Sequence, residues 1–236
     1  SLLLMSGIAL AVGLGRGWTR RRLRSPPRLR SPPLGSLGTF QVCACTGELS
    51  LLGGVEPRPH AALSLTYGCT VLHGLSLAGS TCNPCGSLRA LRAGGTRAGA
   101  AGIAAQFAAA GLARLFMRLV WSLGLAEAHL AALSQGCGRP MQTTLVQAFC
   151  IELLFSVVFQ LTVLRVESIS PKYRVHLLAL LITMLVYAGG NLTGAVFNPA
   201  LAFSLHATCF YENFLSYSLV YWVAPCLGKF LTLPVF

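Results

Sequence analysis

Two Asn-Pro dipeptides, each set in apolar sequence about half a chain apart, constrain the fold of this chain more than any other feature. An Asn-Pro-Ala tripeptide begins at Asn198 and an Asn-Pro-Cys tripeptide begins at Asn83. Asn is favoured immediately before a helix, and Pro suits the first helical turn because its missing N–H would lack a partner there. Each tripeptide therefore predicts the start of a short helix. The alternative is a pair of capped turns outside a membrane, since Asn-Pro is also a common turn dipeptide.

The composition indicates a membrane setting. Mean hydropathy is +0.67 and 54% of the 236 residues are hydrophobic, while only 10% are charged. About a quarter of the residues of an ordinary soluble domain are charged. A chain of this length can supply six or seven membrane spans of about 20 residues each. Because it begins with Ser1 and its last apolar segment reaches Phe236, we expect a fragment of a longer protein.

The apolar segments divide into two similar halves. The candidate spans are residues 34–52, 63–78, 99–123, 143–164, 175–190 and 214–236. Short helices that recur at matching places in the two halves of a membrane protein indicate a channel or transporter built from inverted repeats. We therefore expect one domain over residues 34–236, with a first repeat at 34–123 and a second at 143–236.

Residues 1–33 are expected to lie outside this domain. Residues 2–14 are apolar but short, and they fit either the remnant of a truncated span or the hydrophobic region of a signal peptide. A hexapeptide, Arg-Leu-Arg-Ser-Pro-Pro, then occurs twice in succession over residues 22–33. Its proline content predicts a flexible, non-helical linker, which could also bind anionic lipid.

The net charge of +12 is segregated along the chain. Seven of the 18 basic residues lie between the first two apolar runs: Arg16, Arg20, Arg21, Arg22, Arg24, Arg28 and Arg30. The positive-inside rule makes this segment a cytoplasmic loop rather than a nucleic-acid site. Counting spans places further basic residues on the same side, namely Arg89, Arg92, Arg97, Arg165, Lys172 and Arg174, and only Arg58 and Arg139 on the other. Each Asn-Pro segment then enters from a different side, as inverted repeats require.

Two half-helices that meet by their N-termini would place two positive dipole ends at one point. The Asn83 and Asn198 amides would offer N–H donors to a passing oxygen atom. Water or a small alcohol can accept these bonds, whereas the positive potential opposes protons and cations. The residues of this predicted pore motif are Asn83, Pro84, Cys85, Asn198, Pro199 and Ala200.

The chain resembles the aquaporin (major intrinsic protein) family. Residues 193–200, Thr-Gly-Ala-Val-Phe-Asn-Pro-Ala, look like the family's approach to its second half-helix, and residues 221–228 look like the pattern of its last helix. Residues 79–84 resemble the approach to the first half-helix. The resemblance implies an all-α transmembrane fold, a right-handed bundle of six spanning helices plus two re-entrant half-helices. It also implies a pore in each subunit and a homotetramer, with Glu152 and Gly194 as structural support for the second re-entrant loop.

Several residues depart from the orthodox pattern of that family. Cys85 replaces an alanine, which is typical of an unorthodox branch associated with the endoplasmic reticulum. Leu201 and Val186 stand where water-selective members carry an arginine and a histidine. The implied selectivity filter is therefore wide and apolar, and it consists of Val186, Ala195, Leu201 and either Tyr67 or Leu63. Gly35 falls where a glutamate would brace the first re-entrant loop, which leaves that loop without its brace.

Other candidate sites are weaker. Cys82 and Cys85 have the C-x-x-C spacing of redox and metal sites, but the sequence offers no second ligand pair. A thiol at the pore that reacts with peroxide is the more modest hypothesis. Six cysteines in apolar segments are expected to be packing residues (Cys43, Cys45, Cys69, Cys150, Cys209 and Cys226), and no partner for Cys137 is evident. Glu152 could be a proton relay, although the family resemblance favours a brace. No acid–base pair is recognisable, so we expect no enzyme activity, no cofactor and no metal.

The leading hypothesis is a passive channel for water and small uncharged solutes, glycerol and hydrogen peroxide among them. We expect it in an intracellular membrane, first of all the endoplasmic reticulum, with the plasma membrane or vesicles as alternatives. An ion-coupled secondary transporter would need more intramembrane charge than Glu152, Arg114 and Arg118 supply. A non-conducting structural or redox-sensing protein of the same fold is the third hypothesis. The expected partners are other copies of the chain, the bilayer and small neutral solutes, with no nucleic acid.

Overall fold

The computed structural model describes residues 1–22, 27–55, 59–87 and 96–232, and these ranges are almost entirely helical. The helices are α1 (Leu2–Arg22), α2 (Pro27–Val55), α3 (Pro59–Ser76), α4 (Thr96–Ser122), α5 (Glu127–Ser134), α6 (Leu145–Arg165), α7 (Pro171–Thr193), α8 (Pro199–Glu212), α9 (Phe214–Ser218) and α10 (Ala224–Thr232). Residues 84–87 form one further helical turn. A π-helical segment, Leu219–Val223, joins α9 to α10 into one continuous span.

Five of these elements are long and apolar enough to cross a membrane by length and composition: Leu2–Arg22, Arg97–Ser122, Leu145–Ser168, Pro171–Thr193 and Phe214–Thr232. Many of their large apolar side chains are exposed, among them Leu119, Tyr187 and Leu215. Exposed apolar surface on this scale fits contact with lipid better than contact with water. The protein is therefore an integral membrane protein that crosses the bilayer several times.

Helix α1 extends beyond the apolar run, residues 2–14, that the sequence shows there. The sequence predicts a segment that stops near Leu14, but the helix continues through the basic residues to Arg22. Its buried face carries Met5, Ile8 and Val12, which pack into the same core cluster as Cys43 of α2. The first span is thus a helix of 21 residues that docks on the bundle.

The expectation of a non-helical linker is wrong for the second copy of the proline repeat. Helix α2 begins at Pro27 and runs through Pro32 and Pro33 without a break. Proline at the first helical position removes an N–H that has no partner, and the other two prolines lie within the first two turns. They remove only two hydrogen bonds from a helix of 29 residues, which packs against α1, α3 and α4.

The same pairing of helices occurs in both halves. Helix α2 packs along α4 in the first half, and α6 packs along α10 in the second. The second contact is very close, because a Cβ atom added at Gly228 would lie 2.8 Å from the Ser156 Cβ. Helix α8 packs against α2 and α4, so the second half-helix is enclosed by the first half of the chain. This packing places the two Asn-Pro segments between the two halves of the chain.

Arg114 of α4 contacts the interior of the protein. Its Nη1 atom donates to the Ser204 carbonyl oxygen of α8 at 2.9 Å, next to a distortion of that helix at His206. Arg118, one turn further along α4, is exposed. Arg24, Arg58, Arg89 and Arg92 lie outside the described residues, so the orientation across the membrane stays a prediction.

Candidate functional site: two helix N-termini that meet at their asparagines

The side chains of Asn83 and Asn198 each reach across to the other re-entrant loop. The Asn83 Nδ2 atom donates to the carbonyl oxygen of Phe197 at 3.0 Å, and the Asn198 Nδ2 atom donates to that of Cys82 at 3.1 Å. Each acceptor residue immediately precedes the other asparagine in the chain. The two contacts are therefore equivalent, and they join the two halves by a reciprocal exchange.

Each asparagine also caps its own helix. The Asn83 Oδ1 atom accepts the Cys85 N–H at 3.0 Å, and the Asn198 Oδ1 atom accepts those of Ala200 at 3.1 Å and Leu201 at 3.4 Å. Both caps are followed by proline at the first helical position, as the sequence predicts. The carbonyl of each amide is thereby used, and its orientation is fixed.

The amide N–H donors at the point where the two asparagines meet suit a particular class of solute. An amide nitrogen carries two N–H donors, and in each asparagine the cross-loop bond uses one of them. Within the part of the chain that the structure describes, the second N–H of each side chain has no hydrogen-bond partner, and it is available to an oxygen atom of a solute. Both helix N-termini add positive potential at the same place. The arrangement can bind water or a hydroxyl group and disfavours a cation.

The second re-entrant loop is held by Glu152 of α6, which is fully buried. Its Oε1 atom accepts the Thr193 hydroxyl at 2.7 Å and the Val196 N–H at 3.2 Å, and its Oε2 atom accepts the Phe197 N–H at 2.6 Å. Every partner is a donor, so the carboxylate acts as an acceptor for the loop and not as one half of an acid–base pair. This is the bracing role that the family resemblance implies.

That brace supports an unfavourable backbone. Ala195 has a φ angle of 50° and Phe197 one of 34°, values that cost residues with a Cβ atom about 1–3 kcal/mol each. Gly194, with a φ of 83°, ends α7 in the same left-handed region at no such cost. The Tyr221 hydroxyl adds a bond to the Thr193 carbonyl oxygen at 2.6 Å. The loop keeps its shape because buried partners fix it from two sides.

The first re-entrant loop also has braces, although Gly35 supplies none, so the expectation of an unbraced loop is wrong. The Gln106 Nε2 atom of α4 donates to the Thr81 carbonyl oxygen at 2.5 Å. The Thr39 hydroxyl of α2 lies 3.4 Å from the Cys82 carbonyl oxygen. Sequence reasoning missed Gln106, yet it is a polar residue in the Ala-rich part of a span, and such intramembrane residues are functional candidates by default.

The structure brings two of the four filter positions together. Val186 packs against the apolar cluster that contains Ala195, while Leu201 packs against the clusters on either side of α8. The Tyr67 hydroxyl is instead bonded to the His176 Nδ1 atom at 2.8 Å. His176 lies ten residues before Val186 on α7, which is about 15 Å along the helix axis. The structure therefore does not bring Tyr67 to the other filter positions.

The cysteines pair in a way that the sequence does not reveal. Cys85 is bonded to Cys226 of α10, and Cys137 is bonded to Cys209 of α8. The expectations that Cys209 and Cys226 serve only in packing, and that Cys137 has no partner, are wrong. Sequence separations of 141 and 72 residues give no local signal for these pairs. Cys82 is the free thiol of the C-x-x-C segment.

A second buried carboxylate also escapes sequence reasoning. Glu48 of α2 is fully buried, and its Oε1 atom lies 3.0 Å from the His129 Nε2 atom of α5. The Trp121 Nε1 atom donates to its Oε2 atom at 2.9 Å. Glu48 and His129 are 81 residues apart, so no spacing rule links them. The pair fastens α5 to the end of α2.

Comparisons with known proteins agree with this geometry. The sequence profile of the family described as "Major intrinsic protein" matches residues 60–236. Aquaporin-11 of Equus caballus is 44% identical over 239 residues that cover 100% of this chain and 88% of that protein, and human aquaporin-11 is 43% identical with the same coverage. Human putative aquaporin-12A is 32% identical over 73% of this chain and 60% of its own length.

The fold is shared with a solved channel structure. The aquaglyceroporin from Plasmodium falciparum superposes with a TM-score of 0.67 at 18% identity, covering 86% of this chain and 93% of that one. The two chains therefore share their fold. The reciprocal asparagine pair, the matched profile and the similarity to aquaporin-11 together show that this chain belongs to the major intrinsic protein (aquaporin) family, as a membrane channel of the unorthodox type for water or small solutes and not an enzyme.

Proposed function

We propose that this protein is a passive channel for water and small uncharged solutes, with glycerol and hydrogen peroxide among them, in an intracellular membrane. The observation that carries the proposal is the reciprocal bonding of Asn83 and Asn198, which leaves one N–H of each amide free for a solute oxygen. The point where the asparagines meet supplies donors and positive dipole ends, and the nearby Glu152 carboxylate is already engaged by donors of the loop. The site therefore favours neutral oxygen compounds over cations.

The proposed selectivity comes from apolar residues at the constriction. Val186, Ala195 and Leu201 offer neither charge nor side-chain donors, so they hold water molecules only weakly. A solute larger than water can therefore displace that water more easily at the constriction. We assign the fourth wall to Leu63 rather than Tyr67. Helices α3 and α7 touch at Gly74, where an added Cβ atom would lie 2.7 Å from the Val175 side chain. Leu63 lies eleven residues before Gly74 on α3. Val186 lies eleven residues after Val175 on α7. In antiparallel helices Leu63 and Val186 would then lie at equal depth.

The assembly and the location are part of the proposal. We infer a homotetramer in which each subunit has its own pore, with repeats at residues 34–123 and 143–236. The similarity to aquaporin-11 and Cys85 in place of alanine support placement in the endoplasmic reticulum membrane, with the plasma membrane or vesicles as further sites. Cross-linking of the purified protein and imaging of the tagged chain in cells test these two points.

Osmotic and solute flux into proteoliposomes tests the function directly. Stopped-flow swelling would be recorded with water, glycerol and hydrogen peroxide for the unaltered chain and for Val186→Trp, which should block the constriction. Tyr187→Trp is the matched control, because Tyr187 is the next residue of α7 and is 75% exposed. We expect flux that Val186→Trp abolishes and Tyr187→Trp leaves unchanged.

Two outcomes would overturn the proposal. Flux no greater than that of empty vesicles, with the protein folded and assembled, would favour a non-conducting structural or redox-sensing role. Accumulation of a solute against its gradient, driven by an ion gradient, would favour a secondary transporter. Leu201→Arg adds a sharper check, since restoring a filter cation should lower glycerol flux more than water flux.

A further inference from the structure

The second re-entrant loop is held by a hydrogen-bond acceptor, whereas the first is held by hydrogen-bond donors. Glu152 holds the second loop as an acceptor of N–H and O–H groups. At the corresponding place in the first half, a Cβ atom at Gly35 would already lie 3.0 Å from the Thr81 carbonyl oxygen. A carboxylate side chain would begin close against the first loop itself, so groups other than a carboxylate hold this loop, Gln106 and Thr39 among them.

Arginines of the N-terminal helix reach that loop. The Arg16 guanidinium donates to the Ser80 hydroxyl oxygen, to the Ala78 carbonyl oxygen at 3.1 Å and, at 3.4 Å, to the Leu34 carbonyl oxygen at the start of the α2 span. The Arg20 Nη2 atom donates to the same Ala78 carbonyl oxygen at 3.1 Å. Arg16 is only 3% exposed, although it belongs to a segment expected to be a cytoplasmic loop. All these partners are neutral oxygen atoms.

Helix α1, which carries Arg16, is itself packed against the core of the bundle. Met5, Ile8 and Val12 lie on its buried face and pack into the core cluster, and Arg16 follows Val12 one turn later on the same face. A buried cation whose partners are neutral oxygens is costly, because it loses hydration without gaining a counter-ion. Intramembrane charges of this kind usually serve a function.

We propose that Arg16, assisted by Arg20, is a positioning residue of the channel: it replaces the missing carboxylate with a cation and holds the first re-entrant loop so that Asn83 meets Phe197. The loop covers the few residues between Ala78 and Asn83, so freeing its first part loosens the asparagine at its end. Helix α1 is then a working part of the channel and not an appendage. Only the effect on permeation rests on the function proposed above.

The experiment measures the order of the loop through its own thiol. Cys82 is free and partly buried, and its Sγ atom would lie 2.6 Å from a Cβ atom at Gly38, so α2 shields it while the loop is held. The rate of Cys82 alkylation by N-ethylmaleimide would be followed by peptide mass spectrometry in full-length protein in lipid vesicles. Arg16→Met removes the charge and all donors but keeps a long side chain, and Arg16→Lys keeps the charge.

Two controls separate positioning from general destabilisation. Arg21→Met changes an exposed arginine of the same helix. Met117→Ala makes a cavity in the core cluster that α1 contacts, at a residue that is 2% exposed. We expect Arg16→Met to speed Cys82 alkylation about tenfold, as the loss of a charged, multidentate contact implies, and Arg16→Lys to give an intermediate rate. Both controls should stay within about twofold of the unaltered protein.

Each outcome decides the proposal. Equal alkylation rates for Arg16→Met and Arg21→Met would overturn it, as would an equal acceleration by Met117→Ala. In the flux assay, Arg16→Met should change the ratio of water to glycerol permeability, whereas Met117→Ala should change the amount of active protein and leave that ratio alone. If the unaltered protein conducts nothing, the channel function fails, yet the Cys82 rates still decide whether Arg16 positions the loop.

Discussion

Replacing Glu152 by glutamine removes one acceptor from the second re-entrant loop at almost constant volume. The best placement of the new side chain keeps its oxygen at the Oε1 position, where Thr193 and Val196 donate. The amide nitrogen then faces the Phe197 N–H across what was a 2.6 Å hydrogen bond, so two donors oppose each other. Because the site is fully buried, no water replaces the lost partner.

The magnitude follows from these contacts. An unsatisfied buried N–H costs about 1–3 kcal/mol, and the two remaining bonds lose the strength that the carboxylate charge gives them. We expect Glu152→Gln to lower the free energy of unfolding by about 3 kcal/mol, which corresponds to a fall in Tm of about 6–12 °C for a chain of this size. The strained φ angles of Ala195 and Phe197 should relax once the brace is weakened, so water flux should fall as well.

Thermal unfolding in detergent and stopped-flow swelling of proteoliposomes measure the two effects. Glu167→Gln is the control, because Glu167 is an exposed carboxylate just beyond the other end of α6. A Glu152→Gln protein with the Tm and the water flux of the unaltered chain would refute the bracing argument. A proton-relay role would instead leave the Tm unchanged and alter only a proton-coupled flux.

Three further predictions concern the asparagines, the cysteines and the contact of α6 with α10. Asn198→Asp should lower water flux and admit cations, since a carboxylate oxygen would face the Cys82 carbonyl and cancel the positive potential. Mass spectrometry after thiol alkylation of the denatured protein should find five of the nine cysteines labelled before reduction and all nine after it; nine at once would contradict both disulfides. Gly228→Ala should destabilise the protein by about 1–3 kcal/mol, because its Cβ would lie 2.8 Å from Ser156 and 2.9 Å from the Leu153 oxygen; an unchanged Tm would contradict that packing.

Features that depend on local sequence could be predicted, and those that depend on distant contacts could not. The helix starts at Asn83 and Asn198 follow from capping chemistry within three residues. The bracing role of Glu152 came from a family motif, and its geometry agrees. The exchange of each asparagine with the other loop, in contrast, joins residues more than 110 positions apart. No periodicity in the sequence announces such a contact.

The proline repeat and the Arg-rich segment were misjudged for a different reason. Composition describes an average environment, and the rule that prolines break helices assumes a position in the helix interior. Pro32 and Pro33 stand close to the start of a long helix that neighbouring helices support. Charge counting likewise assigns Arg16 to a cytoplasmic loop, but its side chain is buried among loop oxygens. Only the packing of α1 on the bundle reveals this difference.

The reciprocal asparagine contacts predict that the two loops are energetically coupled. Arg16 holds one loop and Glu152 the other, and the loops touch through the bonds from Asn83 to Phe197 and from Asn198 to Cys82. Distant residues without shared partners usually contribute additively, so a double-mutant cycle of Arg16→Met and Glu152→Gln tests the coupling.

We expect Glu152→Gln alone to speed Cys82 alkylation, because the Cys82 carbonyl then loses a well-placed Asn198. Once Arg16→Met has already freed the first loop, the same change should add little, so the double variant should fall short of the product of the two single effects by about threefold or more. Strict multiplication of the two rate changes would show that each loop keeps its shape alone. The asparagine exchange would then be a consequence of two independently held loops and not the link between them.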